Sequence, residues 1–185
     1  MNVVRGLPRI FRDAKAMLAS FAPEATRSGY VASLDDRVLR GGWGVANGFK
    51  WSLDDAQMFF TDIAAKTIYR APYSETGELG NVKVFHSGEP HDGLTIDAEG
   101  FLWGGIYGGG GVVRYTPEGF GDVTVELPAP NITSVAFGGP GMSTLFVGSA
   151  WENLTEEQLE AHPLSGAIFA IDTATHGRLA RHFGA

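Results

Sequence analysis

Asn47-Gly48-Phe49-Lys50-Trp51-Ser52 and Asp92-Gly93-Leu94-Thr95-Ile96-Asp97 decide how this chain is read. Each sets a short amide or carboxylate directly before a glycine, at the mouth of an alternating strand. The two openings recur at about 45 residues, and a third strand, Thr133-Ser134-Val135-Ala136-Phe137, opens about 41 residues after Asp92. Repeats of this length, built from short strands and Gly-rich turns, point to a β-propeller whose equivalent positions face one central channel. Asn-Gly and Asp-Gly are also common hairpin-turn dipeptides, and taken alone they mark only turns. Their repeat context favours channel-facing ligands instead, because an amide and a carboxylate in one channel make half of a hard-metal site.

Working outward from these openings, the first two units resolve into four short strands each and the third into three. The first runs Asn47–Trp51, Met58–Thr61, Thr67–Arg70 and Val82–Phe85, with turns at Asp54-Asp55 and Glu75-Thr76-Gly77. The second runs Asp92–Ile96, Phe101–Trp103, Gly111–Tyr115 and Val123–Leu127, turning at Asp97–Gly100 and Pro117–Gly119. The third begins at Thr133, continues through Thr144–Val147, and resumes at Ala167–Ile171 after an insertion from Trp151 to Pro163. Thr155-Glu156-Glu157-Gln158 has capping-box spacing, so a short helix is expected in that insertion. A hairpin at residues 30–39 precedes the first unit and reads as the outer part of one more blade. Since closure takes at least four blades, the chain is expected to be an incomplete propeller, or to close by pairing with another copy of itself. Open blade edges predict such self-association.

The composition fits one domain with a substantial core. Gly 26 in 185 residues is about twice the average usage. With Cys 0 and no apolar run of bilayer length, the sequence predicts neither disulfides nor a membrane anchor. A net charge of −7 excludes the basic footprint that nucleic acid requires. A cytoplasmic protein acting on a small molecule is the expectation. Residues 1–20 differ from the rest: Arg5, Arg9, Arg12 and Lys15 stand against Asp13, and Ile10, Phe11, Ala14, Met17 and Leu18 recur at helical spacing. Residues 1–27 are therefore assigned to a divergent, helical N-terminal segment and 28–185 to the partial propeller; a targeting reading of the basic helix is the lesser one.

Taken in order, Asn47-Gly-Phe-x-Trp-Ser, Asp92-Gly-Leu-x-Ile-Asp-Ala-Glu-Gly, Leu102-Trp103, Gly111-Val-Val-Arg-Tyr115, Thr133-Ser-x-Ala-Phe-Gly-Gly-Pro140, Leu145-Phe-Val147 and Pro163-Leu-x-Gly-x-Ile-Phe169 form a specific set. The set closely resembles the regucalcin (senescence marker protein), gluconolactonase and luciferin-regenerating enzyme family of six-bladed propellers. The resemblance runs from about Gly41 to Phe169, is weak over 28–40 and is absent over 1–27, so it matches the C-terminal half of such a protein. It implies a divalent cation (Ca, Zn, Mn or Mg) on the propeller axis, with Asn47 and Asp92 as ligands and Asp92 also as the catalytic base. The family's third ligand is a Glu in a Gly-Glu-Gly-Pro setting, which has no match here; Glu24, in Ala22-Pro23-Glu24-Ala25, lacks it. His91 also departs from the family, which usually has proline before the Asp.

The implied chemistry is the opening of a sugar-acid lactone or similar ester, in which a cation polarises the carbonyl and acidifies bound water. Loss of a charged ligand predicts a weakly active or inactive chain, and the rival reading is a non-catalytic fragment serving as a binding or assembly module. His91, Trp43 and Tyr107 are candidate substrate contacts. Each also has a structural reading: His91 as a loop residue beside a turn, Trp43 as blade packing along with Trp51, Trp103 and Phe137. Asp54, Asp55, Asp97 and Glu99 are expected as turn residues on the solvent side. Gly108–Gly111 lacks the Gly-Lys-Ser/Thr ending of a phosphate loop and precedes a strand, so it is read as a tight crossing.

Overall fold

The computed structural model describes residues 29–32 and 38–179; the expected N-terminal helix and Glu24 lie outside them. The described residues form four antiparallel sheets in chain order. A hairpin, β1 (Gly29–Ala32) with β2 (Val38–Trp43), comes first. Blade one follows as β3 (Ala46–Trp51), β4 (Gln57–Asp62), β5 (Thr67–Pro72) and β6 (Lys83–Ser87). Blade two is β7 (His91–Ile96), β8 (Leu102–Ile106), β9 (Gly111–Tyr115) and β10 (Gly121–Glu126). Blade three is β11 (Asn131–Gly138), β12 (Thr144–Ala150) and β13 (Ile168–Asp172). Every blade pairs its strands in sequence order, as short turns between antiparallel neighbours require. Among the described residues, no helix is long and apolar enough to cross a membrane.

The blades stack face to face, and their facing side chains make the core. Phe59, Ile68 and Phe85 of blade one meet Leu94, Leu102 and Tyr115 of blade two. Trp103, Val112 and Ile132 join Val135, Leu145 and Val147 between blades two and three. Fully burying each such side chain is worth roughly 1.5–3 kcal/mol. Blade two is therefore covered on both sides: all five residues of β8 are buried, although an isolated sheet would leave every second one to solvent. Among the described residues, one face of blade three is uncovered. Ile168 is 76% and Phe146 40% exposed there, while Leu145 and Val147, pointing the other way, are fully buried.

The insertion in blade three contains α1 (Glu156–Ala161). Thr155 caps it by accepting from the Gln158 amide, and the Gln158 side chain accepts from the Thr155 amide in return. The expected capping box is thus present, with Glu156 and Glu157 in the first turn where the helix dipole favours them.

The three inner strands, β3, β7 and β11, lie side by side, and each is interrupted at the same place. The register slips between Asn47 and Phe49, between His91 and Leu94, and between Ile132 and Ser134. At these bulges Gly48, the Asp92-Gly93 pair and Thr133 fall out of the ladder, while Asn47, at the edge of its slip, stays paired with Thr61. They also bring backbones close. A Cβ on Gly48 would stand 2.1 Å from the Asp92 carbonyl oxygen, and one on Gly93 would stand 2.7 Å from that of Thr133. Both glycines are needed because the next blade's main chain fills the space a side chain would take. Gly48→Ala is expected to cost at least about 1–3 kcal/mol, the usual range for overpacking, and to part Asn47 from Asp92. A urea midpoint unchanged by the substitution would contradict this.

Candidate functional site

The bulge of β7 delivers Asp92 to the inner edge of the blade stack, 9% exposed, with its carboxyl beside the Asn47 amide. Thr61, fully buried on β4, fixes the backbone there: its hydroxyl donates to the Asp92 carbonyl at 3.2 Å. Asn47 is exposed, and its Oδ1 accepts from the Gly48 amide at 3.1 Å. Burial pushes the Asp92 carboxyl up to about 6, and the hydrogen bond from Asn47 offsets only part of that. A carboxyl so placed changes charge near neutral pH, which suits a general base or a proton-linked cation ligand. At the third matching position Thr133 donates its hydroxyl to the Gly148 carbonyl at 3.3 Å and brings no charge.

The donor set is all oxygen, one of them charged, and it opens to solvent on the Asn47 side. That chemistry fits a hard divalent cation in ligand type, with two protein ligands from the described residues. Cation binding requires the Asn47 amide to present its oxygen rather than its nitrogen to Asp92, a half-turn about the terminal side-chain torsion.

The other candidates fall elsewhere. Tyr107 follows β8 on the same rim as the strand openings, half-buried, and its hydroxyl accepts from Asn153 Nδ2 at 2.9 Å. Trp43 is 6% exposed and packs edge-on against Phe60 at 5.0 Å and beside Tyr69 at 4.9 Å, so it belongs to the core of blade one. His91 precedes Asp92 on a strand, so its ring points the opposite way, into the interface between blades one and two. It is 1% exposed, and its Nε2 lies 2.7 Å from the Tyr115 hydroxyl. Burial lowers its pKa to about 4, keeping the ring neutral at neutral pH.

Asp97 corrects the expectation of a solvent-side turn residue. It is 0% exposed and accepts four hydrogen bonds: from the Glu99 and Phe101 amides, Trp103 Nε1 and Arg114 Nε. The Asp97–Gly100 turn is real, and Gly100 donates back to the Asp97 carbonyl at 3.1 Å. The turn is roofed by Arg114 from β9, whose guanidinium lies 3.7 Å from the Phe101 ring centroid and reaches Glu99 and Asp122 as well. Thr61 and Arg114, which hold the framework of the site and of blade two, carry no local sequence signal; their partners are distant in the chain.

Matching bulges place an amide beside a carboxylate on the inner edge of stacked antiparallel blades, the arrangement of part of a propeller. Comparison with known proteins supports that fold. Residues 17–151 match the SMP-30/Gluconolactonase/LRE-like region, and the chain belongs to that family. It is 37% identical over 133 residues to regucalcin of Gallus gallus, covering 69% of this chain and 44% of that one. It is 35% identical over 139 residues to 6-deoxy-6-sulfogluconolactonase of Pseudomonas putida, covering 72% of this chain and 48% of that one. The crystal structure of a calcium-binding protein, regucalcin from Agrobacterium tumefaciens, superposes with a TM-score of 0.76 at 32% identity, over 83% of this chain and 55% of that one. The chain thus spans about half the length of the relatives it matches, and the described residues are part of a β-propeller.

Proposed function

We propose that this chain carries half of a lactonase site, in which Asn47 and Asp92 hold a divalent cation and Asp92 serves as general base toward a sugar-acid lactone or similar small ester. The observation that supports this most is the pairing itself: two matching bulges put an amide against a carboxyl whose pKa is raised to about 6. A cation in that site would polarise the ester carbonyl and acidify a bound water. The protein's own part is to hold the base. Thr61 and Gly48 fix the Asp92 backbone, and Asp92 takes a proton from the attacking water within hydrogen-bond reach. Family members called regucalcin and gluconolactonase, one described as calcium-binding, support the class of cation and substrate.

Two protein ligands make a weak site, so activity requires a further carboxylate from outside the described residues or from a second polypeptide. The uncovered face of blade three, with Phe146 and Ile168 exposed, is where such a partner would add a blade. The test is calorimetric titration of the purified chain with Ca²⁺, Mn²⁺ and Mg²⁺, paired with sedimentation at the same concentrations and hydrolysis of gluconolactone. Micromolar binding with lactone hydrolysis supports the reading. A folded protein that binds none of these ions and hydrolyses no lactone contradicts it and leaves the non-catalytic module as the function of the fold.

A further inference from the structure

The end of β6, the link and the start of β7 read His86-Ser87-Gly88-Glu89-Pro90-His91. Its three titratable side chains converge away from the axial pair, and their ligating atoms lie within 4.8 Å of one another. His86 Nδ1 faces the Gly119 carbonyl at 3.1 Å. A carbonyl only accepts, so that nitrogen carries the hydrogen, and Nε2 is left facing Glu89 Oε2 at 2.8 Å. In a neutral ring this sets two acceptors against each other; a shared proton or a cation resolves the conflict. His91 is arranged differently. Its Nδ1 is buried without a hydrogen-bond partner of standard geometry, close enough to Gly104 that a Cβ there would stand 2.8 Å away. Its Nε2 points to the Tyr115 hydroxyl, whose ring lies 4.4 Å from that of His86.

We propose that His86, Glu89 and His91 form a second divalent-metal site, of the nitrogen-rich zinc class, which clips the β6–β7 link onto blade two. Two imidazoles and one carboxylate with an open fourth position is an established zinc donor set, and zinc prefers it over the all-oxygen set of hard cations. Anchoring one ring nitrogen on a backbone carbonyl while the other binds metal is the usual support for such ligands, and His86 has it. Bonds of about 2.0–2.2 Å place ligand atoms roughly 3.4 Å apart in a tetrahedron, so the set needs an adjustment in which His86 Nε2 and Glu89 Oε2, at 2.8 Å, part slightly and the wider separations, within 4.8 Å, close. Glu89 can supply it, since its side chain is 45% exposed, whereas His91 is held by the core. The same exposure gives the ion a way in. The Tyr115 hydroxyl takes the fourth position or hydrogen-bonds a water there.

The test is zinc titration of the full chain, wild type and the variants Asp92→Ala, His86→Ala and Glu89→Ala, read by calorimetry and by thermal melting. One equivalent of zinc is expected to bind, to raise the melting temperature and to survive Asp92→Ala. His86→Ala and Glu89→Ala should each weaken it by about 100-fold or more, beyond the 10–100-fold typical of residues that only support a ligand. Cobalt in place of zinc should give the intense visible bands of a four-coordinate ion in the wild type and in Asp92→Ala. Zinc lost with Asp92→Ala alone, or unchanged in both His86→Ala and Glu89→Ala, would overturn the proposal and leave His86–Glu89 an ordinary ion pair. Should His86→Ala fail to fold, the exposed Glu89→Ala and the cobalt spectrum of the wild type decide, and absence of those bands is equally negative. Because the axial site is probed by Asp92→Ala, failure here is separable from failure of the lactonase reading.

Discussion

Asp92→Asn is expected to weaken calcium or manganese binding by about 100-fold or more and to erase a pH dependence that the wild type shows. The carboxyl is raised to about 6 by burial, against roughly 4 in an unfolded chain. Below pH 4 it is protonated in both states and its contribution to stability is fully present. Between pH 4 and 6 the unfolded chain gives up the proton while the folded one keeps it, so that contribution is lost as pH rises through about 6. Without added cation, the wild type should therefore lose stability relative to Asp92→Asn between pH 4.5 and 7.5, as read from urea midpoints in chelator. Cation affinity should run the other way. It should climb close to tenfold per unit up to pH 6 and level off above, because one proton is displaced for each ion bound. An affinity flat across pH 5–7, or an Asp92→Asn variant that keeps it, would remove Asp92 from the site.

The largest loss of stability is expected from Asp97→Ala. The substitution leaves Trp103 Nε1, Arg114 Nε and two backbone amides without the acceptor they share, at a position 0% exposed. Each buried donor left without an acceptor typically costs about 1–3 kcal/mol, and several are orphaned at once. Asp97→Asn keeps one acceptor oxygen and the shape, and should cost about 1–3 kcal/mol. Arg114 stays paired with Glu99 and Asp122 in either variant, so the effect is not that of a free cation. The check is the shift in urea midpoint at constant m-value. A loss under about 1 kcal/mol for Asp97→Ala would mean that this network contributes little beyond filling space.

The cost of Asp97→Ala should spread through blade two, because that turn joins its two innermost strands. Asp97 donates its own amide to the Phe101 carbonyl at 3.0 Å and pairs by a bridge with Gly177 near the far end of the described chain. Arg178, the next residue, donates to the Ser52 carbonyl and to Asp55 of blade one. Asp55 was expected to be a solvated turn residue; it does form its turn, at φ 57°, and also receives this ion pair from the C-terminal segment.

The sequence by itself determined the blades and their order, and it singled out Asn47 and Asp92 as the candidate pair. Short alternating strands and turn residues are local, and an Asn-Gly and an Asp-Gly opening recur about 45 residues apart on two inner strands, so Asn47 and Asp92 could be matched by spacing. The helix start at Thr155 was equally legible, since a capping box closes within four residues. Only the tertiary structure decided which faces of those strands are covered. Alternation places His91 opposite Asp92, but only the packing of blade one against blade two shows that the ring lies beside Tyr115, His86 and Glu89. Asp97 reads as a turn residue in one dimension and is one; what buries it is Arg114, contributed by a strand two turns further along. Trp43 was resolved toward the core by Phe60 and Tyr69, from two strands it does not precede directly. Turn and strand propensities act over a few residues, whereas burial, desolvation and a carboxyl raised to about 6 arise from whatever the rest of the chain brings near.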